Sequence, residues 1–152
     1  MSNKSESKRE LVQEIIRGVR QDIEGYKQLR SLLSQQRELM QRRDNQGLEL
    51  HNRHQLSLCE QLQSRANKRS RGLIQLGFSG DAAGMDQLIT KLPVDAAKQV
   101  KILWNNLLIL VKESKMANDI NGNLLVDQQA VINGLLNRDK EVCIDYGVST
   151  PS

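Results

Sequence analysis

The N-terminal part of the chain carries apolar residues at alternating steps of three and four, or at multiples of these steps. This spacing places side chains on one face of a helix. It predicts a long first helix from about Ser7 to Gln41, which at about 1.5 Å per residue would extend over about 50 Å. The residues on this face are Val12, Ile15, Val19, Tyr26, Leu29, Leu33 and Met40.

Composition favours helices throughout. Only 38% of the 152 residues are hydrophobic and 3% are aromatic, with one Phe, one Trp and two Tyr. A β-sandwich or barrel needs many β-branched and aromatic positions separated by turns. We therefore predict an all-α protein, whose length fits a single domain with a thin core.

A second helix is predicted after the turn residues 44–47, from about Leu48 to Leu76. Gln55 and Arg69 interrupt its apolar stripe. The stripe consists of Leu48, Leu58, Cys59, Leu62, Ala66, Leu73 and Leu76.

A glycine cluster at 77–84 predicts a break, followed by a short helix through Lys91 that Pro93 ends. The last long helix is predicted from about Asp95 to Asn137. Asn121-Gly122 is a turn signal, yet the apolar phase continues through it, so we expect one continuous helix in which Gly122 permits close approach of a neighbour. The residues expected on its buried side are Ala96, Val100, Leu103, Leu107, Leu110, Val111 and Ser114.

The predicted fold is an elongated antiparallel bundle of three long helices with a short connecting helix. It forms a single domain over residues 1–145, followed by a flexible tail at 146–152.

Polar residues occupy seam positions of the last helix at Ser114, Asn118, Asn121 and Gln128. An asparagine in such a seam lowers stability but fixes register and partner choice. Two interpretations follow: a polar layer inside the bundle, which we favour, or a polar patch that orients a partner helix.

The end of the same helix is broadly apolar. The first two long helices are expected to cover only part of it, so this end is either ordinary core or a docking strip for an amphipathic helix. The apolar residues are Leu124, Leu125, Val131, Ile132, Leu135 and Leu136.

Three features in the last third of the chain together resemble one family. They are Trp104, the pattern Asn118-x-x-Asn121-Gly122-x-Leu-Leu-x-x-Gln, and Tyr146-Gly147 near the end. This order is similar to the FlgN family of flagellar type III export chaperones.

The resemblance implies a cytoplasmic chaperone without cofactor. Its segment of about 118–145 would bind the C-terminal helices of hook-filament junction proteins of the FlgK and FlgL type, and Tyr146 would contact the cytoplasmic domain of the export-gate protein FlhA. The chain stops soon after Tyr146, so contacts made by a longer tail are not expected. The cargo-binding residues implied are Leu124, Leu125, Gln128, Val131, Ile132, Leu135 and Leu136.

Two alternatives remain open. One is a structural coiled coil that self-associates through the same stripes, and the other is a chaperone of a related secretion system with different cargo.

The chain has no phosphate-binding loop, nucleophile elbow or paired carboxylates in a plausible pocket, so we expect no enzyme. No apolar run approaches the length that spans a bilayer, so no membrane insertion is expected.

Two clusters have the residue types of binding sites. His51, His54 and Cys59 lack a fourth ligand at a known zinc spacing, so a solvated helix face is favoured over a metal site. The basic cluster at Arg65, Lys68, Arg69 and Arg71 has no interleaved aromatic residues, so a solvated face is again favoured over nucleic-acid binding. Cys59 and Cys143 are expected to be free thiols.

Overall fold

The computed structural model describes the backbone of residues 2–136 and the side chains of residues 6–123. This part of the chain forms three long helices and one short helix, without a strand, and confirms the predicted all-α bundle. The predicted tail at 146–152 lies outside the described residues. The helices are α1 (Ser2–Gln41), α2 (Asn45–Gln75), α3 (Ala82–Thr90) and α4 (Val94–Leu136).

The chain reverses between α1 and α2 earlier than predicted. The turn occupies 42–44 and not 44–47, and Arg43 adopts a left-handed backbone conformation with φ of 55°. Asp44 then caps α2, because its Oδ1 accepts a hydrogen bond from the Gly47 backbone N–H at 2.9 Å. A capping carboxylate satisfies one of the free N–H groups at a helix start, so α2 begins at Asn45 and not at Leu48.

The predicted break after α2 is present. Gly77 has a φ of 93°, and the Phe78 N–H donates to the Leu73 carbonyl at 2.9 Å, which is the hydrogen bond of a Schellman motif. Asp81 caps α3 through the Gly84 N–H at 3.1 Å. Hydrogen bonds from the Ser79 hydroxyl and then from the Gly84 N–H lower the pKa of the Asp81 carboxyl.

Helix α4 runs without interruption from Val94 to Leu136, so the prediction of a continuous helix through Asn121-Gly122 is confirmed. The expected reason for the glycine is wrong, however. Within the described residues, no heavy atom of a neighbour lies within 4 Å of the position that a Cβ would take at Gly122. In the sequence, the apolar stripe keeps the same phase on both sides of the pair, which favours a continuous helix.

The described helices contribute to two compact units. Unit 1 comprises Met1–Lys27 and Ser57–Val111, and unit 2 comprises Gln28–Leu56 and Lys112–Ser152. The predicted single domain over 1–145 stays a prediction.

Unit 1 contains an apolar core to which all four helices contribute. In unit 2, Leu29, Leu32, Leu33 and Met40 of α1 are also buried. Complete burial of a Leu, Ile or Met side chain stabilises the fold by about 1.5 to 3 kcal/mol relative to exposure. This core therefore supplies most of the hydrophobic stabilisation that unit 1 receives. Its buried members are Ile15, Val19, Ile23, Leu73, Met85, Leu88, Ile89, Val100, Trp104, Leu107 and Leu110.

A buried carboxylate joins α1 to α2 in unit 1. Asp22 is 1% exposed, and its two oxygens accept hydrogen bonds from Arg65 Nε and Arg69 Nη1, each at 2.6 Å. The guanidinium of Arg69 also lies 5.4 Å from the centre of the Trp104 ring, within the range of a cation–π interaction. Burial, followed by the negative charge of Asp22, raises the pKa of the Tyr26 phenol.

These contacts correct the expectation of a solvated basic face. Lys68 and Arg71 are exposed, but Arg65 and Arg69 face inward, with side-chain exposures of 27% and 17%. Two of the four basic residues therefore share one buried carboxylate and are not free to bind phosphates.

We predict that Asp22→Ala destabilises the protein by about 3 kcal/mol. This is the lower end of the range for breaking a buried ion pair, because both guanidinium groups keep partial contact with water. Glu14→Ala is the matched control, since Glu14 pairs with Lys68 at 3.8 Å on the surface and its loss should cost less than about 1 kcal/mol. Urea unfolding followed by circular dichroism measures both. Equal losses would contradict a special role for Asp22.

Candidate functional site

Asn121 belongs to a polar layer inside unit 2. Its side chain is 3% exposed, and its Nδ2 donates to the Leu33 carbonyl at 2.7 Å and to Gln36 Oε1 at 2.9 Å. Gln36 in turn donates through Nε2 to Asn52 Oδ1 at 2.8 Å. One amide from each of α4, α1 and α2 therefore forms a continuous hydrogen-bonded network across unit 2.

His51 extends this polar layer on α2. It is 9% exposed, and its Nε2 lies 2.7 Å from the Leu32 carbonyl, which requires the proton on that nitrogen. The expected solvated position is thus wrong for His51, although His54 is exposed. In the part of the chain that the structure describes, no three His, Cys, Asp or Glu side chains are grouped to hold a metal ion.

Three buried oxygens of unit 2 have no hydrogen-bond partner among the described residues: Gln55 Oε1, Ser114 Oγ and Asn121 Oδ1. Leaving a buried polar atom unpaired costs about 1 to 3 kcal/mol. Each of these oxygens that stays unpaired therefore reduces the stabilisation that the polar layer contributes.

The remaining residues of the predicted site fall in different places. Trp104 is 6% exposed in the core of unit 1, and Asn118 is half-buried in unit 2. Tyr146 lies outside the described residues. The backbone of 124–136 is helical, but the side chains of the predicted cargo-binding residues also lie outside the described part.

Two polar residues in seam positions are a sequence signal for buried polar partners that the predictions did not include. Gln36 follows Leu33 by three residues and precedes Met40 by four, so it occupies a seam position of α1. Asp22 has the same relation to Val19 and Tyr26. A polar residue in phase with the apolar stripe, on more than one helix, predicts a buried polar pair.

In unit 2, α4 runs parallel to α1 with a nearly constant offset. Arg30 Nη1 donates to Glu113 Oε1 at 2.5 Å with a separation of 83 residues, and the bonds of Asn121 to Gln36 and Leu33 have separations of 85 and 88. When these separations in residue number are added to Gln41, the last residue of α1, they place the end of α1 beside about residues 124–129 of α4. The backbone of α4 then continues past the end of α1 for about 10 to 18 Å before it ends at Leu136.

These features define a helical-bundle protein with polar layers in its seams and a last helix that extends beyond its neighbour. The chain belongs to the FlgN family, because the family model described as FlgN protein matches residues 1–138. It is therefore a flagellar export chaperone in general terms, from a family that binds flagellar proteins. The match covers much more than the last third of the chain, and Tyr146 lies beyond the matched residues.

No curated protein and no solved structure matches the chain. Among the described residues, no helix has the length and apolar character needed to cross a membrane.

We predict that Asn121→Leu destabilises the protein by about 1 to 3 kcal/mol, because it leaves Gln36 Oε1 buried without its donor. The double substitution Gln36→Leu with Asn121→Leu should recover part of this loss, since it removes both partners of their hydrogen bond, while Asn52 Oδ1 loses the donor that Gln36 supplies. Urea unfolding of the single and double variants gives the coupling between the two sites. Additive losses would show that the hydrogen bond does not set the stability of this layer.

Proposed function

We propose that this chaperone acts in the cytosol and captures the C-terminal helices of hook-filament junction proteins of the FlgK and FlgL type. Capture prevents premature assembly, and the loaded complex is then delivered to the cytoplasmic domain of FlhA at the export gate. Family membership supports the general role. The observation that supports the binding segment is the extension of α4 past the last residue of α1.

The extension places a helical segment where α1 no longer runs beside it. The segment is rich in apolar residues, including Val131, Ile132, Leu135 and Leu136. Each such side chain contributes about 1.5 to 3 kcal/mol when fully buried. An amphipathic helix that buries several of them would therefore bind favourably. Helix-in-groove capture needs no nucleotide and no catalytic group.

The proposed cargo surface is larger than this extension alone. It lies within the partner-binding segment of about 118–145 and includes Leu124, Leu125 and Gln128, which precede the apolar end. A polar Gln128 inside an otherwise apolar strip would restrict the cargo to helices that satisfy its amide. Affinity is expected to come mainly from apolar burial, less the cost of ordering the cargo helix.

The self-associating coiled coil remains the second candidate, because the same apolar end of α4 is available to a second copy. The nucleic-acid alternative is weakened by the ion pairs of Arg65 and Arg69 with Asp22. Light scattering of the protein alone distinguishes a chaperone monomer from a multimer.

We predict that Ile132→Asp and Leu135→Asp each weaken binding of a C-terminal fragment of the junction protein from the same cell by at least about tenfold. A charge introduced at the centre of an apolar contact loses burial and must be desolvated. Isothermal titration calorimetry measures the affinity. Leu50→Asp is the matched control, because Leu50 is 66% exposed on α2 and lies in the same unit.

A wild-type protein that ignores the fragment and forms multimers by itself would contradict the chaperone proposal and favour the coiled coil. Unchanged binding by both strip variants would instead place the cargo elsewhere on the protein.

We predict that Tyr146→Ala leaves cargo affinity within about twofold, as expected for a residue outside the cargo strip, and reduces export. The amount of junction protein in the culture medium measures export, and pull-down with the cytoplasmic domain of FlhA measures delivery. Tyr146→Phe tests the hydroxyl separately, and Ser149→Ala is a control in the same tail. Loss of cargo binding in Tyr146→Ala would remove the assignment to the export gate.

A further inference from the structure

We infer that the cargo helix docks on the outward side of α4 in unit 2, beginning at Met116 and Ile120, and that it presents carboxylates to Lys112 and Lys115. This inference rests on the proposed function and specifies which side of α4 binds and which chemistry the cargo helix carries. We call Met116 and Ile120 the outer row.

The outer row is exposed with respect to the described residues of unit 2. Met116 is 64% exposed and Ile120 is 48% exposed, and residues four apart lie on one face of a helix. The opposite face is already committed, because Ser114 and Asn121 are each 3% exposed. A partner therefore reaches apolar side chains of this part of α4 only from the outward side.

The sequence continues the outer row into the proposed cargo strip. Leu124, Val131 and Leu135 follow Ile120 at steps of four, seven and four, which keep residues on one side of a continuous helix. Leu125, Ile132 and Leu136 instead follow Asn121 in the phase of the inner face. Before about residues 124–129, where α1 ends, the outer row is thus the one along which a cargo helix extends without displacing α1. Beyond that point α1 covers neither row.

The charge beside the outer row identifies the complementary partner. Lys112 and Lys115 are exposed and form no ion pair with any described residue. Glu113 pairs with Arg30 at 2.5 Å, so that among the described residues 112–123 of α4 Asp119 is the acid without an ion pair. The excess is positive, so an amphipathic helix with Asp or Glu along one edge fits better than a basic one.

Both parts of the inference are tested with the same C-terminal fragment of the junction protein. Met116→Asp and Ile120→Asp should each weaken binding by about tenfold. The double variant Lys112→Glu with Lys115→Glu should slow association by about three- to tenfold and flatten its salt dependence, with little change in dissociation, as expected for charges at the rim of an interface. Leu50→Asp is again the control, and unchanged circular dichroism verifies folding.

The outcomes separate this inference from the proposal on which it rests. If Ile132→Asp abolishes binding while both outer-row variants bind like wild type, the proposed function stands and the outer row is excluded. If the lysine variant associates at the wild-type rate, the acidic partner is excluded. If the wild-type protein does not bind the fragment, the proposed function fails and the inference fails with it. Weakened binding by both outer-row variants, together with slower association of the lysine variant, supports it.

Discussion

The paired carboxylate of Asp22 is the contact on which the packing of α1 against α2 depends in unit 1. A carboxylate with 1% exposure is tolerated only where charged donors meet it, and Arg65 and Arg69 each do so at 2.6 Å. Sliding either helix by one turn would bury an unpaired charge, which costs several kcal/mol. Apolar side chains alone tolerate such a shift far better, because one Leu replaces another. The ion pairs therefore select one register, and the apolar core supplies the stability.

Unit 2 uses the same device with neutral groups. The amides of Asn121 and Gln36 fix α4 against α1 through hydrogen bonds that are weaker than the charged pairs of unit 1. The amides maintain the register of the two helices, because an amide that shifted along the seam would lose its hydrogen-bond partner. Separating the helices costs less than in unit 1, because water solvates the exposed amides well. The described part of unit 2 therefore combines a register set by amides with the apolar burial of Leu29, Leu32, Leu33 and Met40. Unit 1, where Trp104 lies in an apolar core, combines a register set by charged pairs with apolar burial from all four helices.

The helices could be predicted from the sequence because the spacing of apolar residues along the chain determines them. The stripe from Ile15 through Met40 is long enough to exclude a strand, and the unbroken phase of α4 outweighed the turn signal of Asn121-Gly122. The inward positions of Arg65 and His51 did not follow, because a charged or polar side chain is expected in solvent unless a partner on a neighbouring helix meets it. Burial of a polar side chain is predicted only when a polar partner lies opposite it in the seam of the neighbouring helix. Which residues lie opposite each other depends on the register of the two helices, and this register is known only once they have packed. Gly122 was misinterpreted for a similar reason, since close approach depends on where a neighbouring helix lies.

The distribution of unpaired polar atoms has a consequence for α4 as a binding helix. In unit 1 its buried side consists of Val100, Trp104, Leu107 and Leu110, whereas in unit 2 the described buried residues are Ser114 and Asn121, each with an oxygen that lacks a described partner. Hydrophobic stabilisation is thus concentrated in the first part of α4, which anchors the helix, and diminishes toward the part that is proposed to bind cargo. A helix with an anchored start needs no strong contacts along its remaining length to stay in register. The proposed capture of a cargo helix would use the later apolar residues of this helix.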